Sequence, residues 1–299
     1  MEQFSRIALP KEPALGIAMN KEHVARIARE LGLDIPKGVY INSADEVNEA
    51  LRVVGLPAVA KPAEPWDAQR GLGPETKFVM TPAEARLAIE AALSAGTGVL
   101  FQQFIPGPQE SISFLYKHGE IFAQFAYQTK RASSLVGGVD VLHRSIAMPS
   151  DSGTQAERLI REIGLEGYCR VEFRRDYSNK PYMVDIHPYM SDGTELAMHA
   201  GVDFPYLLYQ WAMGEPIDTI QTYRVGVWRR DLGGDFKATM ERISQRGKPG
   251  VMPPGRAIRD FCVSFFTPAH YDLLDWKDPR PSWTTARGWF NNAFSRKKA

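Results

Sequence analysis

GYCRVEFRRDYSNKPYMVDIHPYMSDGTELAMHAG, residues 167–201, reads as two adjacent strands with a short polar connection, followed by a turn and a helix. Each strand carries a carboxylate, Glu172 in RVEF and Asp185 in MVDI, set among Val171, Phe173, Val184 and Ile186. A charge flanked by apolar neighbours is costly to bury without compensation. Two carboxylates on neighbouring strands repel each other and raise one pKa. A divalent cation removes both problems, and oxygen donors on rigid strands suit Mg2+ with nucleotide phosphates. His187, two residues beyond Asp185, shares its face by the strand period of two. The other reading is a hairpin whose carboxylates reach solvent or pair with Arg170, Arg174 or Arg175.

Around this stretch lies a chain of 299 residues, long enough for a sizeable core and more than one lobe. The formal net charge of +1 gives no bulk electrostatic case for nucleic acid or an anionic membrane. No apolar run is long enough to cross a bilayer, and the opening MEQFSRIALPKEP lacks a signal-peptide core. The two cysteines, Cys169 and Cys262, make no metal-type spacing. A reduced, cytoplasmic setting is expected.

The elements alternate. Residues 1–18 read as a lead-in, and Asn20 caps an amphipathic helix that opens at Lys21. A strand near KGVYI, a capped helix from Ser43, the strand LPAVAKP, a polar loop over residues 63–76, the strand KFVM and a helix after Thr81-Pro82 complete a small lobe, 19–97. The second lobe, 98–215, opens with GVLFQQFIPG, and long strands turn around His118-Gly119. Long antiparallel strands with packed helices make the fold class α+β, two α/β lobes with a cleft between them. Residues 216–299 read as a C-terminal appendage packed on the second lobe.

Several positions outside the carboxylate strands are suited to a nucleotide. Lys61 ends an apolar strand, where its ammonium either meets a phosphate or snorkels to water. The glycines of Gly71-Leu72-Gly73 let backbone N–H groups approach phosphate oxygens, although the spacing is neither a Walker nor a Rossmann fingerprint. Gln102-Gln103-Phe104-Ile105 either reads an adenine edge in a connector between lobes or is an ordinary strand end. Glu110 either accepts from ribose hydroxyls or is a solvated strand residue. Arg131, Gly137-Gly138, His143 and Arg144 either hold an anionic substrate or are loop polarity. Cys169 reads as packed rather than nucleophilic.

The order of these pieces resembles the ATP-grasp superfamily, and within it the carbamoyl-phosphate-synthetase-like and D-aspartate-ligase-like branch of carboxylate–amine ligases. The resemblance covers residues 19–215 and rests most on GLEGYCRVEFRRDYSNKPYMVDIHPYMSDGTELAMHAGVDFP, with AVAKPAEP, RGLGP, VLFQQFIPGPQES and MNKEHVARIARELGLDIPKGVYI beside it. It implies that Lys21, Lys61, Gly71 and Gly73 meet the phosphates of ATP. Gln102, Gln103 and Ile105 would bind adenine, Glu110 the ribose, and Glu172, Asp185 and His187 would surround Mg2+. It further implies an acyl phosphate made from a small-molecule carboxylate and taken by an amine such as an amino acid or peptide. Asp185 is one methylene shorter than the family's usual glutamate. His187-Pro188-Tyr189 stands where Asn-Pro-Arg is usual, so Arg131 or Arg170 would supply the anion-binding arginine. The chain starts close to the ATP-grasp segment, without the family's preceding Rossmann-like domain. Either a homodimer, a partner or the chain's own tail would then complete the substrate site, or the enzyme is a reduced one with a more open site.

Overall fold

The computed structural model describes residues 8–63, 66–67, 71–72, 75–134, 138–247, 252–272, 280 and 284. In chain order they form α1 (Ala14–Met19), α2 (Lys21–Glu30), β1 (Gly38–Ile41), α3 (Val47–Val54), β2 (Ala58–Pro62), β3 (Trp66–Asp67), β4 (Gly71–Leu72), β5 (Lys77–Val79) and α4 (Pro82–Ser94). The second half continues with β6 (Val99–Gln103), β7 (Gln109–Lys117), β8 (Glu120–Ala132), β9 (Asp140–Ser145), α5 (Ser150–Ile163), β10 (Gly167–Arg175) and β11 (Pro181–His187). Then come α6 (Gly193–Ala200), α7 (Phe204–Met213), β12 (Trp228–Arg230), α8 (Leu232–Ser244), α9 (Pro254–Val263) and β13 (His270–Tyr271).

Local chemistry sets the helix starts. The Asn20 side chain accepts from the N–H groups of Glu22 and His23, both at 3.0 Å, and so opens α2. Ser43 and Glu46 form a reciprocal capping box before α3. Thr81 caps α4 directly ahead of Pro82, whose missing N–H needs no partner there.

Two sheets organise the molecule. A four-stranded sheet in the order β1-β6-β2-β5 packs Ile41, Ala60, Val79 and Phe101 against Val47, Ala50 and Ile89 of α3 and α4. A seven-stranded sheet runs β11-β10-β7-β8-β9-β12-β13. One face buries Ile112, Phe114, Val171 and Phe173 against α5 and the two N-terminal helices. The other buries Phe125, Tyr127 and Tyr168 against α6 and α7. The architecture is α+β, as expected from the long antiparallel strands. Among the described residues no helix is long and apolar enough to cross a membrane.

Two features depart from the sequence-based division, and a third elaborates it. Residues 14–19 are helical rather than a shapeless lead-in, with Ala14 and Ala18 buried. Both N-terminal helices belong to the core beneath the seven-stranded sheet, not to the small lobe, because Val24 and Ala28 of α2 find their apolar partners there. Residues beyond 216 add β12 to the larger sheet, between β9 and β13, and α8 packs on β8 and β9.

Candidate active site

The paired register of β10 and β11 builds the floor. Glu172 lies directly opposite Asp185, and Arg170 opposite His187. Directly opposed residues in an antiparallel pair share a face. All four therefore look the same way, and all four line a cavity of about 240 Å³ together with Lys21, Thr76, Gln109 and Tyr189. A smaller cavity of about 30 Å³ shares Lys21 and Asp185 with it and is walled by Val24, Leu100, Gln102 and Met183. The lysines come from two directions. Lys21 is the first residue of α2, and Lys61 reaches across from β2 of the other sheet.

Both carboxylates on this floor have a cationic partner. Lys61 Nζ stands 3.7 Å from Asp185 Oδ2 and donates to the Val184 carbonyl at 3.0 Å. Arg170 Nη2 lies 2.7 Å from Glu172 Oε1, and His187 Nε2 lies 3.3 Å from the same oxygen. His187 Nδ1 in turn pairs with the Tyr189 hydroxyl at 3.0 Å. Burial pushes the Glu172 carboxyl up, but Arg170 and His187 together hold it well below the ordinary carboxylate range. Burial likewise opposes ionisation of Asp185, and Lys21 and Lys61 overcome it, lowering its pKa. Burial lowers the Lys61 ammonium, with Asp185 resisting. Both carboxylates are thus anionic and face each other across one strand pair.

Among the described residues no three His, Cys, Asp or Glu side chains converge into a preformed metal cage. The donor set nevertheless fits Mg2+. That ion retains several waters and is held through one or two carboxylates plus phosphate oxygens, not by an all-protein cage. Two opposed anionic carboxylates with lysines from separate elements are the donors such a complex needs.

The remaining expected residues divide. Gln102 reaches the smaller cavity. The Gln103 side chain turns instead to Lys37, whose N–H it accepts at 3.5 Å. Ile105 is buried, and its carbonyl accepts from Arg174 Nη1 at 3.3 Å, with the Arg174 guanidinium 5.4 Å from the Phe104 ring. Gly71 pairs with Asp67 in the small β3–β4 ribbon, while Gly73 lies outside the described residues, as does Gly137.

Two expectations require correction. Glu110 does not face the cavity. It is buried under a two-pronged clasp from Arg175, at 2.8 and 3.0 Å, and accepts from Ser152 at 2.5 Å. Arg131 is likewise absent from the floor, because the fully buried Asp235 takes its Nε at 2.5 Å and its Nη2 at 2.9 Å. Strand parity explains the first case. Ser111 opposes Glu172, so Gln109 shares the cavity face and Glu110 the opposite one. Parity could have named Gln109, but only with the pairing register in hand.

Sequence inspection also missed Tyr127 and Asp140. Ser111 opposes Tyr127 on β8, which extends the polar row from Asp185 and Glu172 inward beneath α6. Tyr127 accepts from Arg170 Nη1 at 2.9 Å and donates to Asp140 Oδ2 at 3.1 Å. Burial, with Glu172 adding to it, pushes the Asp140 carboxyl up to about 6. His143, completely buried beside Tyr127, is pushed down to about 3 by burial and by the nearby Arg229 and Arg170.

The chain is similar to known proteins. A family model described as "ATP-grasp in the biosynthetic pathway with Ter operon" matches residues 97–229. The D-alanine–D-alanine ligase of Flavobacterium johnsoniae is 24% identical over 201 residues, covering 62% of this chain and 60% of that protein. The carbamoyl phosphate synthase large chain of Thermomicrobium roseum is 23% identical over 225 residues, covering 73% of this chain and 20% of that one. The crystal structure of N5-carboxyaminoimidazole ribonucleotide synthetase from Thermus thermophilus superposes with a TM-score of 0.56 at 20% identity, covering 72% of this chain and 57% of that one. The chain spans less than two thirds of the length of each of these three proteins. On the family match over residues 97–229 and the similarity to these ligases and synthetases, the chain belongs to the ATP-grasp superfamily.

Proposed function

We propose that this chain is an ATP-dependent carboxylate–amine ligase that works through an acyl phosphate. The observation that carries the proposal is the direct opposition of Glu172 and Asp185 on a cavity floor that Lys21 also lines, with Lys61 3.7 Å from Asp185. Glu172 and Asp185 would hold Mg2+, which supplies charge neutralisation on the triphosphate. His187, between Glu172 and the Tyr189 hydroxyl, orients the Glu172 carboxylate. Lys21 and Lys61 draw the phosphate oxygens toward the floor. Arg170 is the cation on the floor suited to a substrate carboxylate and to the negative charge that develops as its oxygen attacks the γ-phosphate. The amine then displaces phosphate from the acyl carbon. Enclosure between the lobes favours the amine over water as the attacking group. The substrates that fit are a small carboxylate and an amine such as an amino acid or short peptide.

One observation favours a second reading, a nucleotide-binding protein without turnover. Arg170 and His187 already occupy Glu172, and Lys61 already neutralises Asp185, so a metal must displace existing partners. The two readings separate in one assay. ADP release from Mg-ATP is measured with pooled amino acids and dipeptides, in wild type and in Glu172→Gln. Release that depends on the pool and is lost in the variant supports the ligase. Nucleotide binding without any release supports the second reading, and equal release from both proteins contradicts the metal role of Glu172.

A further inference from the structure

The guanidinium of Arg170 stands between two acceptors. Its Nη2 lies 2.7 Å from Glu172 Oε1, and its Nη1 donates to the Tyr127 hydroxyl at 2.9 Å. Its Nε is buried and has no hydrogen-bond partner among the described residues. An arginine carries donors only. The Tyr127 hydroxyl must therefore accept from Arg170, which leaves its own proton for Asp140 Oδ2, 3.1 Å away. The chain of bonds has one direction, from arginine through tyrosine to aspartate.

Tyr127 is held where it is from several sides. Its side chain is fully buried, stacked beside Phe125 at 6.0 Å and tilted against His143 at 5.3 Å. Gly193, the first residue of α6, closes over the ring, where any Cβ would stand 2.3 Å from Tyr127 Cε1. The Asp140 backbone is pinned as well, its N–H donating to Asp192 Oδ2 at 3.1 Å. A tyrosine clamped on this many sides is a fixed post for whatever it bonds.

The consequence falls on Glu172. An unrestrained guanidinium beside a carboxylate prefers a two-pronged fork. Here one prong is taken by Tyr127, so Glu172 is gripped by the other alone. We infer that Tyr127, backed by Asp140, is a positioning residue that keeps Arg170 to a one-armed hold on Glu172 and so leaves that carboxylate exchangeable for a divalent cation. The inference rests on the reading of Glu172 as a metal ligand and adds what makes the exchange feasible: a second layer that withholds half of the competing cation.

The test measures metal affinity directly. Mn2+ is titrated into the full chain with ADP present, and the free-ion signal is followed by electron paramagnetic resonance. Tyr127→Phe keeps the ring packed beneath Gly193, removes the acceptor, and frees Nη1 to join Nη2 on Glu172. The Mn2+ dissociation constant is expected to rise by about tenfold, the low end of what loss of an outer-shell partner costs. Because Tyr127 acts through Arg170, the effect should vanish in an Arg170→Met background, as a double-mutant cycle reports. Asp140→Asn, which leaves the tyrosine in place and weakens the pull on its proton, should shift the constant the same way. No binding by wild type overturns both this inference and the metal role of Glu172. Binding by wild type with constants unchanged in Tyr127→Phe or Asp140→Asn overturns this inference alone. So does a Tyr127→Phe effect that survives in the Arg170→Met background.

Discussion

Asp235→Asn offers a sharp test of why Arg131 is not at the floor. Asp235 is completely buried between two arginines. Arg131 reaches it at 2.5 and 2.9 Å, and Arg230, also completely buried, donates to its Oδ2 at 2.7 Å. The same arginines fasten α9 and the turn after it. Arg131 donates to Ser264 Oγ at 2.8 Å, and the Arg230 guanidinium sits 4.7 and 4.2 Å from the Phe261 and Phe265 rings. One carboxylate thus neutralises two guanidiniums away from water. The amide keeps the shape but removes the countercharge that both arginines share and turns a donor toward one of them. Removing one partner of a buried ion pair costs about 3–5 kcal/mol, because the remaining charge is left uncompensated. For a chain of this size that corresponds to a fall in Tm of roughly 10 °C, taking about 2–4 °C per kcal/mol. Arg131→Met leaves a balanced Arg230–Asp235 pair and one orphaned acceptor, a smaller loss of about 1–3 kcal/mol. Equilibrium urea unfolding followed by tryptophan fluorescence measures both, with the slope of each transition checked for constancy. A loss below about 1 kcal/mol for Asp235→Asn, or an order reversed between the two variants, contradicts this assignment.

Three further outcomes are expected. Gly107→Ala places a Cβ 2.0 Å from the Arg175 carbonyl oxygen, a backbone atom that has little room to yield. It should therefore destabilise by at least the ~1–3 kcal/mol of ordinary overpacking in urea unfolding, and a loss under ~0.5 kcal/mol would mean the connector is loosely seated. Lys61→Ala removes the cation 3.7 Å from Asp185 and should weaken binding of a fluorescent ATP analogue, whereas unaltered affinity assigns the lysine to the strand end alone. The third outcome concerns pH. His143, pushed down to about 3, is protonated in the unfolded chain before the folded one, so its contribution falls as pH drops below its ordinary value. Asp140, pushed up to about 6, binds its proton in the folded state first, so its contribution rises as pH drops through that value. Between about pH 6 and pH 4 the two slopes oppose, each near ~1.4 kcal/mol per pH unit. Relative to wild type, His143→Gln should gain stability on acidification across this window and Asp140→Asn should lose it. Urea midpoints at three pH values decide the matter, and profiles parallel to wild type would contradict both shifts.

Much of the floor was visible in the amino-acid order, because strands impose a period of two and helices announce their ends. The hairpin around His118 and Gly119, the caps at Asn20, Ser43 and Thr81, and the shared face of Asp185 and His187 all follow from neighbours in the chain. Glu172 and Asp185 were recognisable for the same reason, as charges placed where burial demands a partner. What local order could not supply was the identity of those partners. Glu110 and Gln109 are adjacent in the chain, and only the pairing of β7 with β10 says which faces the cavity. Arg131 carries no local mark of the Asp235 that claims it 104 residues later. Tyr127 and Asp140 look like ordinary strand residues until Arg170 arrives beside them.

Sequence alone determined most of the longer strands, the helix caps at Asn20, Ser43 and Thr81, and which charges must be answered if buried. These properties depend on near neighbours and on the solvation cost of a single group. Tertiary structure assigned the answering charges, put α1 and α2 under the larger sheet, and separated the arginine on the floor from those that brace the scaffold. Coulombic attraction and hydrogen bonding act through space over a few ångströms, and register, not position along the chain, sets which groups come that close.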